Sequence, residues 1–388
     1  MAETHTPLKA LTLDAVWRGR GAKFGGFAGY DMPITFEGLM AEHAWTRSQA
    51  GLFDVSHMGP SFFGLAKGHG LTGDDAHRAV AAIIERVVPG DIQGLKPGQI
   101  RYSVLLNEAG GIEDDLMIAR PVEPGAQGDL YVVVNAGCKE GDWALLANVA
   151  KGEAQVVRAD DRALLALQGP EAFRVLDHVV PGTGAMSFMT YARFETEYFG
   201  RLTISRSGYT GEDGFEVLVR AEHALAFANA LLGHAPVKPV GLGARDSLRL
   251  EAGLCLYGHD LDATISPIEA DLAWIIQKRR RMLGDFPGAA RILRELADGP
   301  TKKRVGIKPL TPAPAREGVE VFKDGRKIGV VTSGGFGPTF GAPVSMGYVE
   351  TGFSAPGTLI DLMVRGQPRP GEVVALPFTP HRYVRKGQ

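Results

Sequence analysis

The hydrophobic pattern of the chain changes character near residue 281, and this change constrains the fold more than any other feature. Before it, helical and strand periodicities are mixed, whereas after it short alternating segments predict strands. Glycine and proline residues at 284–288 mark the change. The Asp-Gly pair at 324–325 lies between two alternating segments and predicts a hairpin turn. We therefore expect a small all-β C-terminal domain of sandwich or barrel type.

The part before residue 281 lacks the regular strand–helix alternation of a doubly wound sheet, so we expect an α+β fold. Helical periodicity covers 38–50, 74–88, 171–179, 224–235, 244–252 and 268–281. Strand patterns cover 101–106, 112–119, 130–134, 194–199, 202–206 and 214–219, and then 304–308, 319–322, 327–332, 344–350, 359–364 and 373–376.

Composition excludes several classes of protein. The formal charge of −2 gives no indication of nucleic-acid binding, and 45% hydrophobic with 22% charged residues argues against disorder and coiled coil. The two cysteines do not have the spacing of a disulfide framework or a zinc site. The N-terminus lacks the pattern of a signal peptide, and no apolar run approaches the roughly 18 residues of a membrane helix. We expect a soluble, cytoplasmic protein.

Glycine is the unusual component, with 51 among 388 residues against an average usage of roughly 7%. A phosphate-binding P-loop is absent from the sequence, and the segment 19–25 has the wrong spacing for a dinucleotide fingerprint. No GxSxG or HExxH motif occurs, and the ten histidines lack paired ligand spacing. Serine-hydrolase and metal-site interpretations are therefore disfavoured, and we predict no metal.

Four glycine-punctuated segments combine polar side chains with apolar flanks. They are FDVSHMG (53–59), NEAGGIEDDL (107–116), SGYTGEDGFE (207–216), and GLGARDSLRLEAG (241–253) followed by LYGHDLD (256–262). Together they resemble the aminomethyltransferase family, the T-proteins of the glycine cleavage system. The resemblance extends from GGFAGYDMPITF (25–36) to PFTPHRY (377–383), in the order of the family, and so covers nearly the whole chain.

The resemblance implies a three-domain, folate-binding fold. We expect a discontinuous folate-binding α+β domain at 1–60 plus 155–280, a second α+β domain with the catalytic aspartate at 61–154, and a β-barrel-like domain at 281–388. The implied activity transfers a one-carbon unit from the aminomethyl-dihydrolipoyl arm of the H-protein to tetrahydrofolate, the co-substrate. The products would be methylene-tetrahydrofolate, ammonia and the dihydrolipoyl H-protein, and the lipoyl group belongs to this partner.

Asp114 and Asp115 are neighbours on a predicted strand, so their side chains point to opposite faces. The residues alone leave open that both are solvated acids near a hairpin. The resemblance implies that Asp115 is the catalytic residue, with a carboxylate that bonds a folate nitrogen and stabilises developing positive charge. Tyr102 and Asn135 would line the same cavity, and several of the glycine loops, including 110–111, would form its rim.

Glu216 lies on a strand, where an unpaired buried carboxylate would be costly. An outward-facing acid is the alternative. If Glu216 instead faces a pocket, its two oxygens match the paired N–H donors of a pterin. The resemblance favours pterin recognition and assigns Tyr209, in the preceding glycine-rich loop, to the same ring.

Arg245 is predicted near the start of a helix, where a cation gains nothing from the helix dipole. It is either an exposed helix residue or, as the resemblance implies, part of the folate site. Met58 offers a polarisable apolar wall for a flat ring, with core packing as the alternative. Tyr383 matches a substrate contact of the family.

Three further features have two readings each. His57 is either a proton carrier or a packed, hydrogen-bonded histidine, and we leave it out of the catalytic set. Trp274 is either a core or interface residue or a stacking surface for a ligand. The four bases at 278–281 form either a solvated patch at a helix end or a surface that attracts an acidic carrier or a polyglutamate tail.

The main alternative function is that of a related tetrahydrofolate-dependent demethylase or methyltransferase, which acts on a methylated sulfur or amine compound. Its site would be largely shared, so the sequence separates the two poorly. A folate-binding relative that assists iron–sulfur assembly would carry a KGCYxGQ-like segment, and the segments around Cys138 and Cys255 differ from it.

Overall fold

The computed structural model describes residues 7–387. Its α-helices are α1 Asp14–Gly19, α2 Leu39–Ser48, α3 Gly73–Ile84, α4 Lys139–Ala150, α5 Ala172–Val179, α6 Ala221–Leu232, α7 Leu242–Glu251, α8 Lys278–Leu283 and α9 Ala289–Asp298. Its strands are β1 Lys23–Phe27, β2 Tyr30–Thr35, β3 Ala50–Asp54, β4 Gly59–Leu65, β5 Ile100–Leu106, β6 Ile112–Ala119, β7 Asp129–Val134, β8 Ala154–Arg158, β9 Arg162–Gln168, β10 Thr190–Thr196, β11 Gly200–Arg206, β12 Gly214–Arg220, β13 Val237–Pro239, β14 Lys302–Pro309, β15 Glu320–Lys323, β16 Arg326–Gly337, β17 Ala342–Glu350, β18 Leu359–Val364 and β19 Gln367–Val374.

The first large sheet has six strands in the order β10-β11-β12-β9-β3-β13. Its strands pair antiparallel except β13, which runs parallel to β3. The central strand β9 reads as a nearly continuous apolar run and is buried along almost its whole length, as expected for a strand covered on both faces. Helices α5 and α6 pack against it, so β12, which carries Glu216, is held firmly within this sheet.

The second sheet has five antiparallel strands in the order β5-β6-β7-β4-β8. Burial alternates along β6, with Asp114 fully buried and Asp115 partly exposed, so the two acids lie on opposite faces as predicted. The edge strand β8 pairs with β4. This sheet therefore extends to Arg158, beyond the domain boundary predicted between residues 154 and 155.

The C-terminal part forms a closed barrel in the order β14-β17-β16-β15-β18-β19. Val321, Leu362 and Val373 fill its centre. At the predicted hairpin, Asp324 and Gly325 both have positive φ, which the tight turn between twisted strands requires. The expected α+β fold with a small all-β C-terminal barrel is confirmed.

One predicted helix, 268–281, is wrong. The chain makes only a 3₁₀ turn at Ala273–Ile275 before α8, because Asp271 adopts a positive φ of 59° that interrupts any right-handed helix. The strand predicted at 194–199 is shifted to β10, since the chain turns back at Gly200 with a φ of 63°.

The predicted solvated patch at 278–281 is wrong for Arg280, which is 1% exposed. Its Nη1 atom lies 2.5 Å from an Asp285 oxygen, and Nη2 donates to the carbonyl of Glu85 at 2.7 Å. Arg279 is also paired, with Glu85 and Asp91. Two of the four basic residues, Arg279 and Arg280, therefore bind α8 to the segment that follows α3.

The loop between β5 and β6 packs tightly on the segment before α9. A Cβ atom on Gly288 would lie 2.1 Å from the Cα atom of Gly110, and one on Gly111 would lie 1.8 Å from the Ala263 carbonyl oxygen. Glycine is therefore required here by close backbone approach. The expectation that 110–111 form the rim of the pocket is wrong, because they join two parts of the chain.

Among residues 7–387, no helix has both the length and the apolar character needed to cross a membrane.

Candidate active site

A cavity of about 2070 Å³ lies between the two sheets and the barrel. Its wall includes residues from β6, β12, α7 and β16, together with the segment after the barrel. All eight residues that the sequence analysis selected for the site line this cavity: Met58, Tyr102, Asp115, Asn135, Tyr209, Glu216, Arg245 and Tyr383. The fold thus brings residues that are far apart in the sequence together around one cavity.

The side chain of Asp115 is held by Asn135, the residue that directly follows β7. The Asn135 side-chain amide donates to Asp115 Oδ1 at 2.7 Å and to the Asp115 carbonyl oxygen at 3.0 Å. Because the adjacent residue Asp114 turns to the other face of the strand, only Asp115 lines the cavity. The amide thus fixes the position of a single carboxyl group in the wall.

Burial raises the pKa of Asp115 to about 7, and the charge of Asp114 adds to this shift. Hydrogen bonds from Tyr102 and Asn135 oppose it. Burial penalises the charged form of a carboxyl group, whereas donors stabilise that form. The result is a carboxyl group that exchanges its proton near neutral pH, which is typical of a functional residue.

Glu216 is partly exposed to the cavity, in the middle of β12. The hydroxyl of Ser207 donates to its Oε2 atom at 2.9 Å. Because Glu216 is partly exposed and lines the cavity, it is neither a fully buried, unpaired carboxylate nor an acid that faces bulk solvent. This group can therefore accept hydrogen bonds from a ligand in the cavity.

Arg245 lies in the first turns of α7, with its guanidinium over the ring of Tyr209 at 4.7 Å. Its Nη1 atom is buried and has no hydrogen-bond partner among the described residues. Burial lowers the pKa of Arg245, while the charge of Glu216 raises it. A buried cation with an unused donor is costly, so this geometry suits an acceptor supplied by a ligand.

Tyr209 contributes its ring face rather than its hydroxyl. The hydroxyl donates to the carbonyl oxygen of Cys255, and burial raises the pKa of the phenol. The ring is thereby fixed between the guanidinium of Arg245 and the cavity. Arg249, one turn further along α7, instead pairs with Asp260 at 2.8 Å and stabilises the surrounding structure.

Two apolar surfaces complete the wall. Met58 is partly buried against the core and also borders the cavity. The ring of Tyr102 stacks on Trp274, with centroids 5.7 Å apart and an interplanar angle of 23°. Trp274 is 60% exposed, so the core-packing reading for this residue is wrong and it forms an open aromatic surface at the cavity.

Tyr383 reaches the cavity from the segment that follows the barrel. Its ring stacks on Phe188 at 3.9 Å, and the Phe188 amide donates to the Val384 carbonyl oxygen at 2.7 Å. Burial raises the pKa of the Tyr383 phenol to about 12. The C-terminal segment is therefore attached to the loop that precedes β10.

His57 is the clearest residue that sequence reasoning left out. It is 2% exposed, borders the cavity, and its Nδ1 atom has no hydrogen-bond partner in residues 7–387. Burial lowers the pKa of His57 to about 3, and the charges of Arg245 and Lys139 add to the effect. The ring is neutral, and the expectation of a hydrogen-bonded histidine is wrong at Nδ1. No pattern in the sequence marks an unused ring nitrogen.

No group of three or more histidine, cysteine, aspartate or glutamate side chains in the described part of the chain is arranged to hold a metal ion. The donors that face the cavity are carboxylate, amide, guanidinium and aromatic groups. Such a set is suited to a flat, polar heterocycle.

Comparison with known families decides the assignment. Residues 13–280 match the family model described as "GCVT N-terminal domain", and residues 302–379 match "Glycine cleavage T-protein C-terminal barrel domain". The chain belongs to the glycine cleavage T-protein family. Members of this family are tetrahydrofolate-dependent aminomethyltransferases, and the chain is accordingly an aminomethyltransferase of the glycine cleavage system.

Relatives in this T-protein family match over nearly the whole chain. "Probable aminomethyltransferase, mitochondrial" of Schizosaccharomyces pombe is 42% identical, with 98% of this chain and 94% of the relative covered. "Aminomethyltransferase, mitochondrial" of Gallus gallus is 40% identical over 97% and 94%. The crystal structure of glycine cleavage system aminomethyltransferase T from Bartonella henselae is 44% identical, with a TM-score of 0.89 over 97% of this chain and 100% of that one. These names do not favour the demethylase alternative.

Proposed function

We propose that aminomethyl transfer takes place in the cavity, with Asp115 as the catalytic residue. The observation that carries this proposal is the position of Asp115 in the wall, held by Asn135 and with a pKa near neutrality. An ionised carboxylate at this point stabilises the positive charge that develops on the carbon during transfer. The burial that raises the pKa of Asp115 also strengthens its interaction with such a charge.

The folate site is proposed to consist of Glu216, Arg245 and Tyr209. Ser207 donates one hydrogen bond to Glu216 Oε2, so both carboxylate oxygens can still accept from the paired N–H groups on the edge of a pterin, because each oxygen has two lone pairs. The unused Nη1 donor of Arg245 fits a ring oxygen or nitrogen. Tyr209 and Met58 supply faces on which a flat ring can pack.

The second reactant is proposed to be the aminomethyl-dihydrolipoyl arm of the H-protein, the partner implied by the family. Tetrahydrofolate supplies the two nitrogens that take up the carbon when it is bound. The C–S and C–N bonds of the arm break, the two folate N–H protons pass to sulfur and nitrogen, and the products are methylene-tetrahydrofolate, ammonia and the dihydrolipoyl carrier. The protein contributes positioning and charge.

A direct assay tests the proposal. The protein is mixed with tetrahydrofolate and aminomethylated H-protein, and ammonia release is measured for wild type and Asp115→Asn. Release well above the uncatalysed rate in wild type, and much slower release in the variant, would support it. Release at the uncatalysed rate together with activity on a methylated sulfur or amine compound would move the activity to the demethylase branch.

Two further expectations from the sequence stay proposals. The domain bounds of 1–60 plus 155–280, 61–154 and 281–388 are supported by the separation of the six-stranded sheet, the five-stranded sheet and the barrel, with the five-stranded sheet continuing through β8. The cytoplasmic location also stays a prediction, since the curated relatives are named as mitochondrial proteins.

A further inference from the structure

The side chains of Asp114 and Asp142 form a pair of buried carboxyl groups close to Asp115. Asp142, in the first turn of α4, is 4% exposed, and its side chain is hydrogen-bonded to that of the fully buried Asp114. Two carboxyl groups in hydrogen-bond contact must hold a proton between them, because two buried carboxylates would repel each other. Neither group faces the cavity, and the transfer mechanism described above does not use them.

Asn135 connects this pair to Asp115. Its backbone N–H donates to Asp114 Oδ2 at 2.9 Å, and its side-chain nitrogen donates to Asp114 Oδ1 at 2.9 Å. The same nitrogen donates to Asp115 Oδ1 at 2.7 Å. A continuous chain of hydrogen bonds therefore runs from Asp142 through Asp114 and Asn135 to the catalytic carboxyl group.

The position of the shared proton decides whether all the hydrogen bonds in this series can form. As a carboxylate, Asp114 accepts one hydrogen bond from the backbone N–H of Asn135 and one from its side-chain amide. If Asp114 carried the proton itself, one of its oxygens would present an O–H group to an N–H group, and a hydrogen bond to Asn135 would be lost. Asn135 would then be free to turn, and Asp115 would lose its fixed position.

The hydrogen bonds around the pair place the proton on Asp142. Both oxygens of Asp114 already accept N–H groups of Asn135, whereas Asp142 Oδ2 has no other hydrogen-bond partner among residues 7–387. Burial raises the pKa of Asp142 to about 9, and the charge of Asp114 contributes to the shift. Burial raises the pKa of Asp114 as well. Other titratable groups that face the pair are Glu113 and Asp115 on β6, Cys138 before α4, and Tyr257. Tyr102 faces Asp115 from β5. Because Asp114 accepts from Asn135 through both oxygens, Asp142 is the donor of the pair and Asp114 the acceptor.

We propose that Asp142 is a positioning residue for aminomethyl transfer: it holds the proton of the buried pair, keeps Asp114 as a carboxylate, and so fixes the Asn135 amide on Asp115. The proposal rests on the proposed catalytic role of Asp115. Asp142 itself touches neither substrate nor the cavity.

The test compares two substitutions with one control. Asp142→Leu removes the donor, and we expect kcat to fall about 10- to 100-fold, the KM for tetrahydrofolate to stay within about threefold, and the acidic limb of the kcat profile to move from pH 7. Asp142→Asn keeps a donor that cannot ionise, so it should rescue kcat at pH 7. We also expect wild-type kcat to fall as pH rises through about 9, where Asp142 ionises, and Asp142→Asn to lack this fall. Glu140→Gln, an exposed acid on the same helix, is the control.

Each outcome is decisive. If Asp142→Asn and wild type give superimposable profiles above pH 8, the positioning role is overturned, and this holds even if Asp142→Leu fails to fold. A folded Asp142→Leu with wild-type kcat and an unmoved acidic limb also overturns it. Asp115→Asn, assayed in parallel, separates the two proposals, because full activity in that variant would remove the catalytic role of Asp115 itself.

Discussion

The ring of Tyr383 lies flat on the ring of Phe188, with the two planes 3° from parallel. The two residues are far apart in the sequence, one in the segment after the barrel and the other in the loop before β10. Because both also border the cavity, this contact closes part of the wall.

Loss of the stack should weaken folate binding. Aromatic pairs of this kind contribute about 0.5–1.5 kcal/mol, so Tyr383→Ala and Phe188→Ala should each raise the KM for tetrahydrofolate by about 2- to 10-fold. We expect kcat to change less. Steady-state kinetics check this, with the exposed Tyr198→Ala as control. Equal KM values in wild type and both variants would contradict the prediction.

Asp115→Asn should lower kcat by about 100- to 1000-fold, the range for removal of a group that stabilises charge in the transition state. The KM for tetrahydrofolate should stay within a few-fold. Since the pKa of Asp115 is about 7, wild-type kcat should rise with pH through 7, and this limb should vanish in the variant. Rate profiles between pH 5.5 and 8.5 measure both effects; an unchanged limb in the variant would assign it to another group.

The same substitution should make the protein more stable. The folded-state pKa of Asp115 lies above the value of an unfolded aspartate, so ionisation costs stability: the cost is absent below about pH 4 and complete above about pH 7. Asp115→Asn should therefore raise Tm at pH 8 by about 2–4 °C, and by less at pH 5. Thermal unfolding at both pH values tests this. The exposed Glu197→Gln is the control, and a constant difference between pH 5 and 8 would count against the shift.

Glu216→Gln should act on binding. A hydrogen bond to a charged group contributes about 1.5–3 kcal/mol, so the KM for tetrahydrofolate should rise about 10- to 100-fold, with kcat at saturation changed far less. Titration of tetrahydrofolate by fluorescence or calorimetry measures the affinity. Glu195→Gln, an exposed acid on β10 of the same sheet, should bind normally. Normal affinity in Glu216→Gln would exclude pterin pairing at this residue.

Arg245→Met should separate stability from binding. The Nη1 atom of the guanidinium is buried and has no hydrogen-bond partner within residues 7–387, so replacement by an apolar side chain of similar length removes a desolvation cost. We expect the Tm of the ligand-free variant to be no lower than that of wild type. The increase in Tm that saturating tetrahydrofolate gives wild type should be lost. A variant that retains this increase would show that Arg245 does not bind folate.

The fold was predictable where periodicity and local geometry agree. Asp-Gly at 324–325 is an example, since the turn type follows from the two residues themselves. The segment 268–281 is the opposite case: Ile268, Leu272, Ile275 and Ile276 have helical spacing, yet they are buried by tertiary packing in an irregular segment. Periodicity reports which residues are buried, and it does not report the backbone that buries them.

The candidate site also contains some residues that the sequence identifies and others that it does not. Asp115 was selected because its motif and its strand position both mark it. Asp142 was missed because an acidic residue in the first turn of a helix is ordinary, and only the tertiary packing of α4, against α3 and β8, brings it to Asp114. His57 has a neighbour in the motif, Met58, but its unpaired nitrogen depends on the surroundings of the ring, which the sequence does not specify.

The contact between Tyr383 and Phe188 also sets an order of events during synthesis. A ribosome-bound chain that already contains both sheets and the barrel still lacks Tyr383, so its cavity is missing one face. Until that segment has left the ribosome, a nascent chain should bind folate with the weakened affinity predicted for Tyr383→Ala, so the ligand contributes less to its stability.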